Sequence, residues 1–388
     1  MQVLEEYKVD KNFCIPEQVK NIFVNYGEDT RFIFLGGSHY VGVFLKAISG
    51  AKKGVPAYVV DDFKCHKGDQ YAGLDIISTD KFLEIYKKEN GIVVLNCCRF
   101  DFSKRFFDEI CRFHEIPCLN HEQVTRLLDL NDTIDYRFSD WGEVISSRVD
   151  EFMGLENRLG DTYSKETLLR VLSFHLSGNS EHFLNISRPY SSLYFRSGLL
   201  NFGAREKFVD CGACFGEATV SLLGVTNGAV EHAWMFEPDI NNQRSLQKLL
   251  RRYQGTYLDG KITLHPYAVG EVHAEGAFIH EGGYGARIAP IEDSNFKTTK
   301  IRPIDDVIDD IPTLIKMDIE GFEIPALKGA ARAIRAGSPQ MAISAYHRST
   351  DLLEIPKLLD SIDPDYEIGL RHHSEDRAET CFYFYKNK

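Results

Sequence analysis

The sequence has no long hydrophobic run. No stretch approaches the ~18 apolar residues that a membrane-spanning helix needs, and 26% of the residues are charged. Residues 1–7 include two adjacent glutamates, which makes this stretch too charged for a secretory signal peptide. We therefore expect a cytoplasmic protein with no membrane partner.

Dense clusters of basic residues are also missing. The chain has 45 Lys and Arg against 57 Asp and Glu, a formal net charge of -12, and its basic residues form runs of no more than two, such as Arg251–Arg252. Clustered Lys and Arg drive nucleic-acid binding through phosphate contacts, so this composition argues against a DNA or RNA substrate. A neutral or small-molecule substrate fits better, although local basic pockets could still bind a nucleotide sugar, and homo-oligomerisation stays open.

Cysteines are too scattered for a disulfide framework. There are nine, an odd number, which favours reduced thiols. Cys211 and Cys214 have the spacing of a redox motif, but they lie inside a glycine-containing loop, and no second Cys or His pair is spaced to complete a zinc site. We therefore expect neither a bound metal nor redox chemistry there.

A strand followed by a glycine loop marks the C-terminal half. An apolar strand ends at Asp210, and the chain then turns through Gly212 and Gly216 into a segment of helical periodicity. A second apolar strand ends at Glu237 and Pro238, about 20 residues further on. An acid at that place can accept both ribose hydroxyls of an adenosine. The pattern predicts a nucleotide-cofactor site.

The spacing of this loop selects the cofactor. The loop lacks the G-x-G-x-x-G spacing with which backbone amides cradle a pyrophosphate. The carboxylate of Asp210 would repel a pyrophosphate, whereas it can attract, directly or through water, the ammonium of S-adenosyl-L-methionine (SAM). We therefore predict SAM, with S-adenosylhomocysteine (SAH) as product, rather than NAD(P).

A third motif reads Lys-Met-Asp-Ile-Glu-Gly at residues 316–321. Together with Asp210–Ala213, Glu237–Pro238, Ala268–Gly270 and Asp305–Asp306, it resembles the FkbM-type SAM-dependent methyltransferase family over roughly residues 199–388. The resemblance implies methyl transfer to a hydroxyl of a sugar, a polysaccharide precursor or a secondary metabolite. The predicted cofactor-binding residues are Asp210, Gly212, Ala213, Gly216, Glu237, Pro238, Ala268 and Val269.

The chain departs mildly from the family's pattern at two cysteines. Cys211 stands where an aliphatic residue is expected, and Cys214 stands where a small or polar residue is expected. We expect the loop geometry to be intact, because neither position should need a positive φ.

Three residues are candidates for catalysis. Methyl transfer to an alkyl hydroxyl needs an acceptor held in line with the methyl group and a base beside it. Asp318 and Glu320 alternate at a strand end and should face the same side, while His347 follows the next strand and titrates near neutrality. Three alternatives stay open: a helix cap for Glu320 or Glu323, a cofactor- or loop-ordering role for Asp318, and a surface position for His347.

Four further acids precede the Lys-Met-Asp motif, namely Asp305, Asp306, Asp309 and Asp310. Metal-dependent methyltransferases bind Mg²⁺ with clustered acids. This segment more closely matches the start of a short helix, where aspartates act as caps. We therefore predict no metal.

The N-terminal third repeats the strand and helix alternation. A strand at Arg31–Leu35 leads into a glycine turn at Gly36–Gly42, and a second strand ends at Asp61. The turn either binds a nucleotide or nucleotide sugar, with Asp61 on the ribose, or belongs to a degenerate scaffold. The spacing matches no complete fingerprint, so both interpretations stay open.

A helical stretch joins the two halves. Residues 141–159 show helical periodicity, and Ser164 is placed to cap a second helix. Tyr190, Tyr194 and Phe195 either form a lid over the cofactor or only pack.

The whole sequence predicts an α/β protein with a Rossmann-like seven-stranded methyltransferase domain at 199–388. That domain has a predicted strand at Ile262–His265, a β-insertion at 276–291, and a terminal hairpin of the strands 366–370 and Thr380–Tyr385. A smaller Rossmann-like α/β domain at 1–130 and a helical connector or lid at 131–198 precede it. An alternative is an NAD(P)- or nucleotide-sugar-binding protein with an inactive methyltransferase domain.

Overall fold

The computed structural model describes residues 15–24, 27–50, 54–66, 68–98, 101–128, 130, 140–279, 287–289 and 297–386. The chain divides into two compact units. One comprises Met1–Ser146, Leu169–Ser187 and Ser374–Arg377, and the other comprises Ser147–Leu168, Arg188–His373 and Ala378–Lys388. Residues of the predicted connector fall in both units, and the domain boundaries predicted from the sequence stay predictions. Among the described helices, none combines the length and apolarity that a membrane crossing requires.

The first unit is built on a six-stranded sheet. In chain order its strands are β1 Arg31–Leu35, β2 Val55–Val60, β3 Gln70–Tyr71, β4 Leu74–Ile77, β5 Ile92–Asn96 and β6 Cys118–Asn120. The helices over this part of the chain are α1 Glu17–Val24, α2 His39–Gly50, α3 Thr79–Lys88, α4 Asp101–Phe113, α5 His121–Leu127 and α6 Trp141–Ser147.

The order of this sheet is β3-β4-β2-β1-β5-β6, with every pair parallel except β3 with β4. Strand β5, next to the edge strand β6, is buried along its whole length, and the central strand β1 is buried at all but its first residue. Such continuous apolar strands are typical of a parallel sheet covered on both faces. Separate apolar clusters lie on the two faces, which confirms the predicted Rossmann-like arrangement.

Two more helices, α7 Val149–Arg158 and α8 Thr162–Ser177, precede the second sheet. The strands of the second unit are β7 Glu206–Cys211, β8 Val230–Phe236, β9 Ile262–His265, β10 Ala268–Val269, β11 Ala274–Ile279, β12 Arg287–Ala289, β13 Lys297–Arg302, β14 Leu314–Met317, β15 Gln340–Ser344, β16 Glu367–His372 and β17 Thr380–Tyr385. Its helices are α9 Glu217–Val225, α10 Ile240–Tyr253, α11 Ile304–Val307, α12 Glu323–Lys328, α13 Ala331–Gly337 and α14 Asp351–Ile362.

The main sheet of the second unit has the order β16-β17-β15-β14-β7-β8-β9. Strands β9, β8, β7, β14 and β15 are parallel, and β17 is antiparallel to both neighbours. The predicted seven-stranded sheet with a terminal hairpin is thereby confirmed. The chain direction across the sheet reverses between β7 and β14, so the crevice at their carboxyl ends is where ligands bind in open α/β sheets.

A second small sheet is inserted between β9 and β14, with the order β10-β13-β11-β12. A β-insertion was predicted at 276–291. The described strands Ala274–Ile279 and Arg287–Ala289 lie there, and the insertion extends further in sequence to Lys297–Arg302. Residues 280–286, 290 and 291 of the predicted insertion lie outside the described part.

Two helix predictions need correction. The periodic stretch 141–159 forms two helices, α6 and α7, rather than one. Ser164 lies within α8 rather than at its cap. Instead, the carboxylate of Asp161 accepts hydrogen bonds from the Ser164 N–H at 2.8 Å and from its hydroxyl at 2.7 Å. A carboxylate one turn earlier thus satisfies the free amides at the start of the helix.

Candidate active site

The loop after β7 depends on two glycines. Gly212 has a φ of 76° and Gly216 a φ of 92°, a region that favours glycine. A Cβ on Gly212 would lie 2.0 Å from the carbonyl oxygen of Asp318, and one on Gly216 would lie 2.5 Å from the Leu249 side chain. Both positions therefore require glycine. At Gly212 the requirement comes from the chain that follows β14, whether or not a ligand is bound.

Cys214, between these glycines, also has a left-handed backbone, with a φ of 47°. The prediction that neither cysteine needs a positive φ is therefore wrong for Cys214. Its N–H donates a hydrogen bond of 2.8 Å to Oε2 of Glu237. Burial, with Glu217 and Glu237 nearby, raises the pKa of the Cys214 thiol to about 12. A thiol that stays protonated is a poor redox group and a poor metal ligand.

A buried ion pair fixes the start of the loop. Asp210, fully buried in β7, has its Oδ1 3.3 Å from Nζ of Lys316 in β14, and its Oδ2 accepts a 2.9 Å hydrogen bond from Thr219. Lys316 also donates to the carbonyl oxygens of Cys211 at 3.2 Å and Gly212 at 2.7 Å. Sequence reasoning missed this role of Lys316. The predicted contact between Asp210 and the cofactor ammonium stays a prediction.

Glu237 follows β8 and is 4% exposed. Its Oε2 accepts from the N–H of Cys214, and its Oε1 accepts from the N–H of Asp239 at 2.8 Å. Burial raises the pKa of Glu237 to about 7, against the opposing effect of these two backbone donors. Each carboxylate oxygen retains a second lone pair, so the group can still accept hydroxyl donors.

The remaining cofactor candidates lie near the same sheet edge. The N–H of Ala213 donates to the carbonyl of Phe236 at 3.1 Å, and Pro238 follows Glu237 directly. Ala268 and Val269 form the short strand β10, and both are buried. This strand begins three residues after β9, whose last residue is in register with the end of β8. The sheet edge thus gathers these segments, and their cofactor contacts stay predictions.

Asp318 lies directly after β14 and is held by two tyrosines. Its Oδ2 accepts a 2.6 Å hydrogen bond from the Tyr194 hydroxyl, and its Oδ1 accepts one of 3.3 Å from Tyr346. Burial alone would raise the pKa of Asp318, but the positive charges of His347 and Lys316 and the bond from Tyr194 lower it. Asp318 is therefore an ionised group with both oxygens engaged.

His347 is buried, with 3% of its surface exposed, so the surface alternative is wrong. Its Nδ1 lies 3.0 Å from Glu323, and its Nε2 lies 3.4 Å from Asp318 and 3.8 Å from Glu320. Burial alone would lower the pKa of His347, but the carboxylates of Glu323, Glu320 and Asp318 raise it to about 10. His347 is therefore an imidazolium at neutral pH, which differs from the expected titration near neutrality.

The two predicted carboxylates converge on the imidazole by a turn and not by strand alternation. Strand β14 ends before Asp318, and Glu320 and Gly321 then have φ values of 57° and 89°. Glu323 accepts a hydrogen bond from the N–H of Ile319 at 2.9 Å, which closes the turn before α12. This bond is not a cap of that helix, so the capping role of Glu320 or Glu323 stays a prediction. Asp318 and Glu320 are each partly exposed, so a ligand can reach them.

Sequence reasoning missed Glu379 at this edge. Because β17 runs antiparallel to β15, with Ser344 opposite Cys381, the residue just before β17 lies beside the end of β15. The N–H of Ala345 bonds to the carbonyl of Thr380 at 2.8 Å, which fixes this register. The sequence signal is faint, because Glu379 precedes its strand, whereas ligand-binding residues are expected after the carboxyl ends of parallel strands.

The four acids before β14 are distributed among different partners. Asp305 accepts hydrogen bonds from the N–H groups of Arg332 at 2.7 Å and Ala333 at 2.9 Å. It therefore caps a helix as predicted, although the helix is α13 and not its own. Asp306 lies 2.9 Å from Nε2 of His273, and Asp310 lies 2.8 Å from Nζ of Lys207.

The glycine turn of the first unit is shorter than predicted. Gly36 has a φ of 82°, and a Cβ there would lie 2.1 Å from Sγ of Cys98. Helix α2 already begins at His39, so Gly42 is helical. Asp61 follows β2, and its carboxylate accepts a 3.0 Å hydrogen bond from the N–H of Phe63. A nucleotide or nucleotide-sugar site at this place stays a prediction.

Comparison with known families finds one matching domain, described as the methyltransferase FkbM domain, over residues 210–367. The chain is also similar to the crystal structure of methyltransferase FkbM from Methylobacillus flagellatus KT. The two are 46% identical, the alignment covers 99% of this chain and 97% of that chain, and the TM-score is 0.82.

Other solved structures are much more distant. Precorrin-6y C5,15-methyltransferase from Geobacter metallireducens GS-15 is 9% identical, with a TM-score of 0.29, over 47% of this chain and 81% of that one. SMU.1697c from Streptococcus mutans in complex with SAH is 13% identical, with a TM-score of 0.32, over 52% of this chain and 99% of that one. A comparison with curated proteins finds no match.

Proposed function

Because the chain belongs to the FkbM methyltransferase family, we propose that it transfers a methyl group from SAM to a hydroxyl of a sugar, a polysaccharide precursor or a secondary metabolite. The observation that carries the proposal is the link between the glycine loop and Glu237. The left-handed Cys214 turns its N–H onto Oε2 of Glu237 at 2.8 Å. This bond joins the two sequence elements between which we propose that adenosine binds, at the carboxyl edge of the sheet.

The cofactor is held, in this proposal, by the loop and by Glu237. When bound, SAM supplies an electrophilic methyl group on a sulfonium. Glu237 keeps free lone pairs for the two ribose hydroxyls, which are charge-assisted bonds when the carboxylate is ionised. Lys316 holds the carbonyls of Cys211 and Gly212, so the loop is preorganised and little ordering entropy is lost on binding.

The acceptor is positioned, in this proposal, by Asp318 and Glu320. Both lie beyond the end of β14, at the point where the sheet order reverses, and both keep part of their surface open. Tyr194 and Tyr346 fix the carboxylate of Asp318, and the buried imidazolium of His347 balances its charge. Holding an acceptor oxygen in line can account for about 7–11 kcal/mol of the barrier, the larger share of the acceleration.

The chemical class of the acceptor rests on the family and on charge. The net charge of -12 opposes phosphate-backbone binding, so nucleic acid is not the proposed substrate. A hydroxyl is the proposed nucleophile, because the site offers carboxylates that can accept its proton or its hydrogen bond.

Calorimetry with SAM and SAH tests the cofactor site. Both should bind the wild-type protein saturably, and Glu237→Gln should weaken binding by at least tenfold, because one charge-assisted bond contributes roughly 1.5–3 kcal/mol. Glu231→Gln is the matched control. It lies on the same strand but pairs with Arg205 at 2.7 Å, and it should leave affinity unchanged. Equal affinity of the wild-type and Glu237→Gln proteins would contradict the assignment.

A further inference from the structure

Two of the three predicted catalytic side chains, His347 and Asp318, are poorly suited to take a proton from the acceptor. His347 already carries one at neutral pH, because carboxylates surround it on both ring nitrogens. Asp318 is ionised but accepts hydrogen bonds from two tyrosines, which lowers its basicity. A hydroxyl acceptor nevertheless loses its proton during methylation, so a further group must receive it.

Glu379 occupies the place that such a group needs. It precedes β17, beside the end of β15 and therefore beside Tyr346 and His347. It is partly exposed, but its Oε2 is buried and has no hydrogen-bond partner among the described residues. Its backbone has a φ of 69°, a conformation that costs a non-glycine residue of order 1–3 kcal/mol and that clusters at active sites, ligand clamps and switch regions.

The surroundings of Glu379 bring the pKa of its carboxyl group close to neutral pH. Burial and the negative charges of Asp318 and Glu320 raise the pKa of Glu379 to about 8, while His347 and Lys316 oppose the rise. Tyr194, Tyr346 and Cys381 also lie within its electrostatic reach, but burial keeps them protonated. A group with a pKa near the working pH is the most effective general base.

We propose that Glu379 is the residue that accepts the acceptor's proton during methyl transfer. This inference rests on the proposed function. The acceptor oxygen bonds to the methyl carbon, the carbon–sulfur bond breaks with its electron pair going to sulfur, and the hydroxyl proton passes to the carboxylate of Glu379. The products are a methyl ether and a neutral thioether, and the proton then leaves to solvent.

One consequence can be measured without the natural acceptor. The sulfonium of SAM is a cation and the sulfur of SAH is neutral, so only SAM should favour the ionised form of Glu379. Calorimetry of SAM and SAH at pH 7.5, in buffers of different ionisation enthalpy, counts the protons released. Binding of SAM should release about 0.3–0.8 more proton than binding of SAH, and Glu379→Gln should abolish that difference.

Glu367→Gln on the neighbouring strand β16 is the matched control and should keep the difference. A difference that persists in Glu379→Gln, or is absent in the wild-type protein, would overturn the inference while leaving the cofactor assignment intact. Failure of both SAM and SAH to bind would overturn the proposed function itself.

Turnover gives the second readout, with ¹³C-methyl SAM and a small-molecule cell extract as the acceptor pool. Glu379→Gln should lower label incorporation by on the order of 10²–10⁴ while SAH affinity stays unchanged, and Glu379→Asp should restore part of the rate. Incorporation at the wild-type rate in Glu379→Gln would also overturn the inference.

Discussion

The ammonium of Lys316 lies 3.3 Å from the carboxylate of Asp210 and donates a 2.7 Å hydrogen bond to the carbonyl of Gly212. Two adjacent strands are thereby tied to the loop that follows the first of them. The lysine of the Lys-Met-Asp-Ile-Glu-Gly motif thus has a structural role, because it donates hydrogen bonds to backbone carbonyls at the start of the predicted cofactor loop.

Removing this lysine should destabilise the protein strongly. Lys316→Met leaves Asp210 as a buried, unpaired carboxylate, and breaking such a pair costs roughly 3–5 kcal/mol. The double variant Lys316→Met with Asp210→Asn should recover part of the loss. Denaturant unfolding measures the free energy of unfolding of both variants. A Lys316→Met protein whose free energy of unfolding is within about 1 kcal/mol of the wild-type value would show that the ion pair contributes little to stability.

The affinity for SAH should depend on the ionisation of Glu237, and SAH is the ligand to use because its neutral sulfur leaves the ionisation of Glu379 unaffected. Its pKa is raised to about 7 in the ligand-free protein, and ribose hydroxyls bind the ionised form better. Affinity should therefore fall as the pH drops below 7 and level off above it. Calorimetry across pH 5.5–8.5 gives the profile, which Glu237→Gln should flatten. A profile that is flat for the wild-type protein would exclude this linkage.

His347 should make stability pH-dependent in the alkaline range. Its pKa rises from 6.5 to about 10 on folding, so its contribution is complete below pH 6.5 and is lost as the pH rises through 10. At pH 6, His347→Gln should lower the free energy of unfolding by on the order of 1–4 kcal/mol, and the gap should narrow toward pH 10. The exposed His273→Gln serves as the control. A stability difference that stays constant with pH would show that folding does not raise the pKa of His347.

Methyl transfer should not need a metal. Asp318, Glu323 and His347 offer ligand atoms within 4.8 Å of one another, but the proton on His347 already supplies the positive charge there. Activity on a small-molecule extract should survive EDTA. Loss of activity on chelation, followed by recovery with Mg²⁺, would contradict this prediction and would indicate that a metal ion, and not the imidazolium, supplies the positive charge there.

Local sequence patterns sufficed for much of the fold. The predicted strands Ile262–His265 and Thr380–Tyr385 have the predicted bounds, because each is a short apolar or aromatic run between turn signals. Glu237 and Asp318 could be placed at the sheet edge because residues that follow parallel strands meet there.

The missed features depend on contacts between distant parts of the chain. The left-handed φ of Cys214 accompanies its bond to Glu237, and the charge of His347 follows from carboxylates that a turn brings to it. Glu379 reaches the edge only through the register of an antiparallel strand. Periodicity and spacing carry no information on such pairings.

Incubation with ¹³C-methyl SAM and a small-molecule extract, followed by NMR and mass spectrometry of the products, tests the central claim most directly. The account predicts one or a few low-molecular-weight products that carry the label as an O-methyl ether on a sugar or metabolite hydroxyl. Label found on nitrogen or carbon, or no transfer at all by a protein that binds SAM, would contradict it.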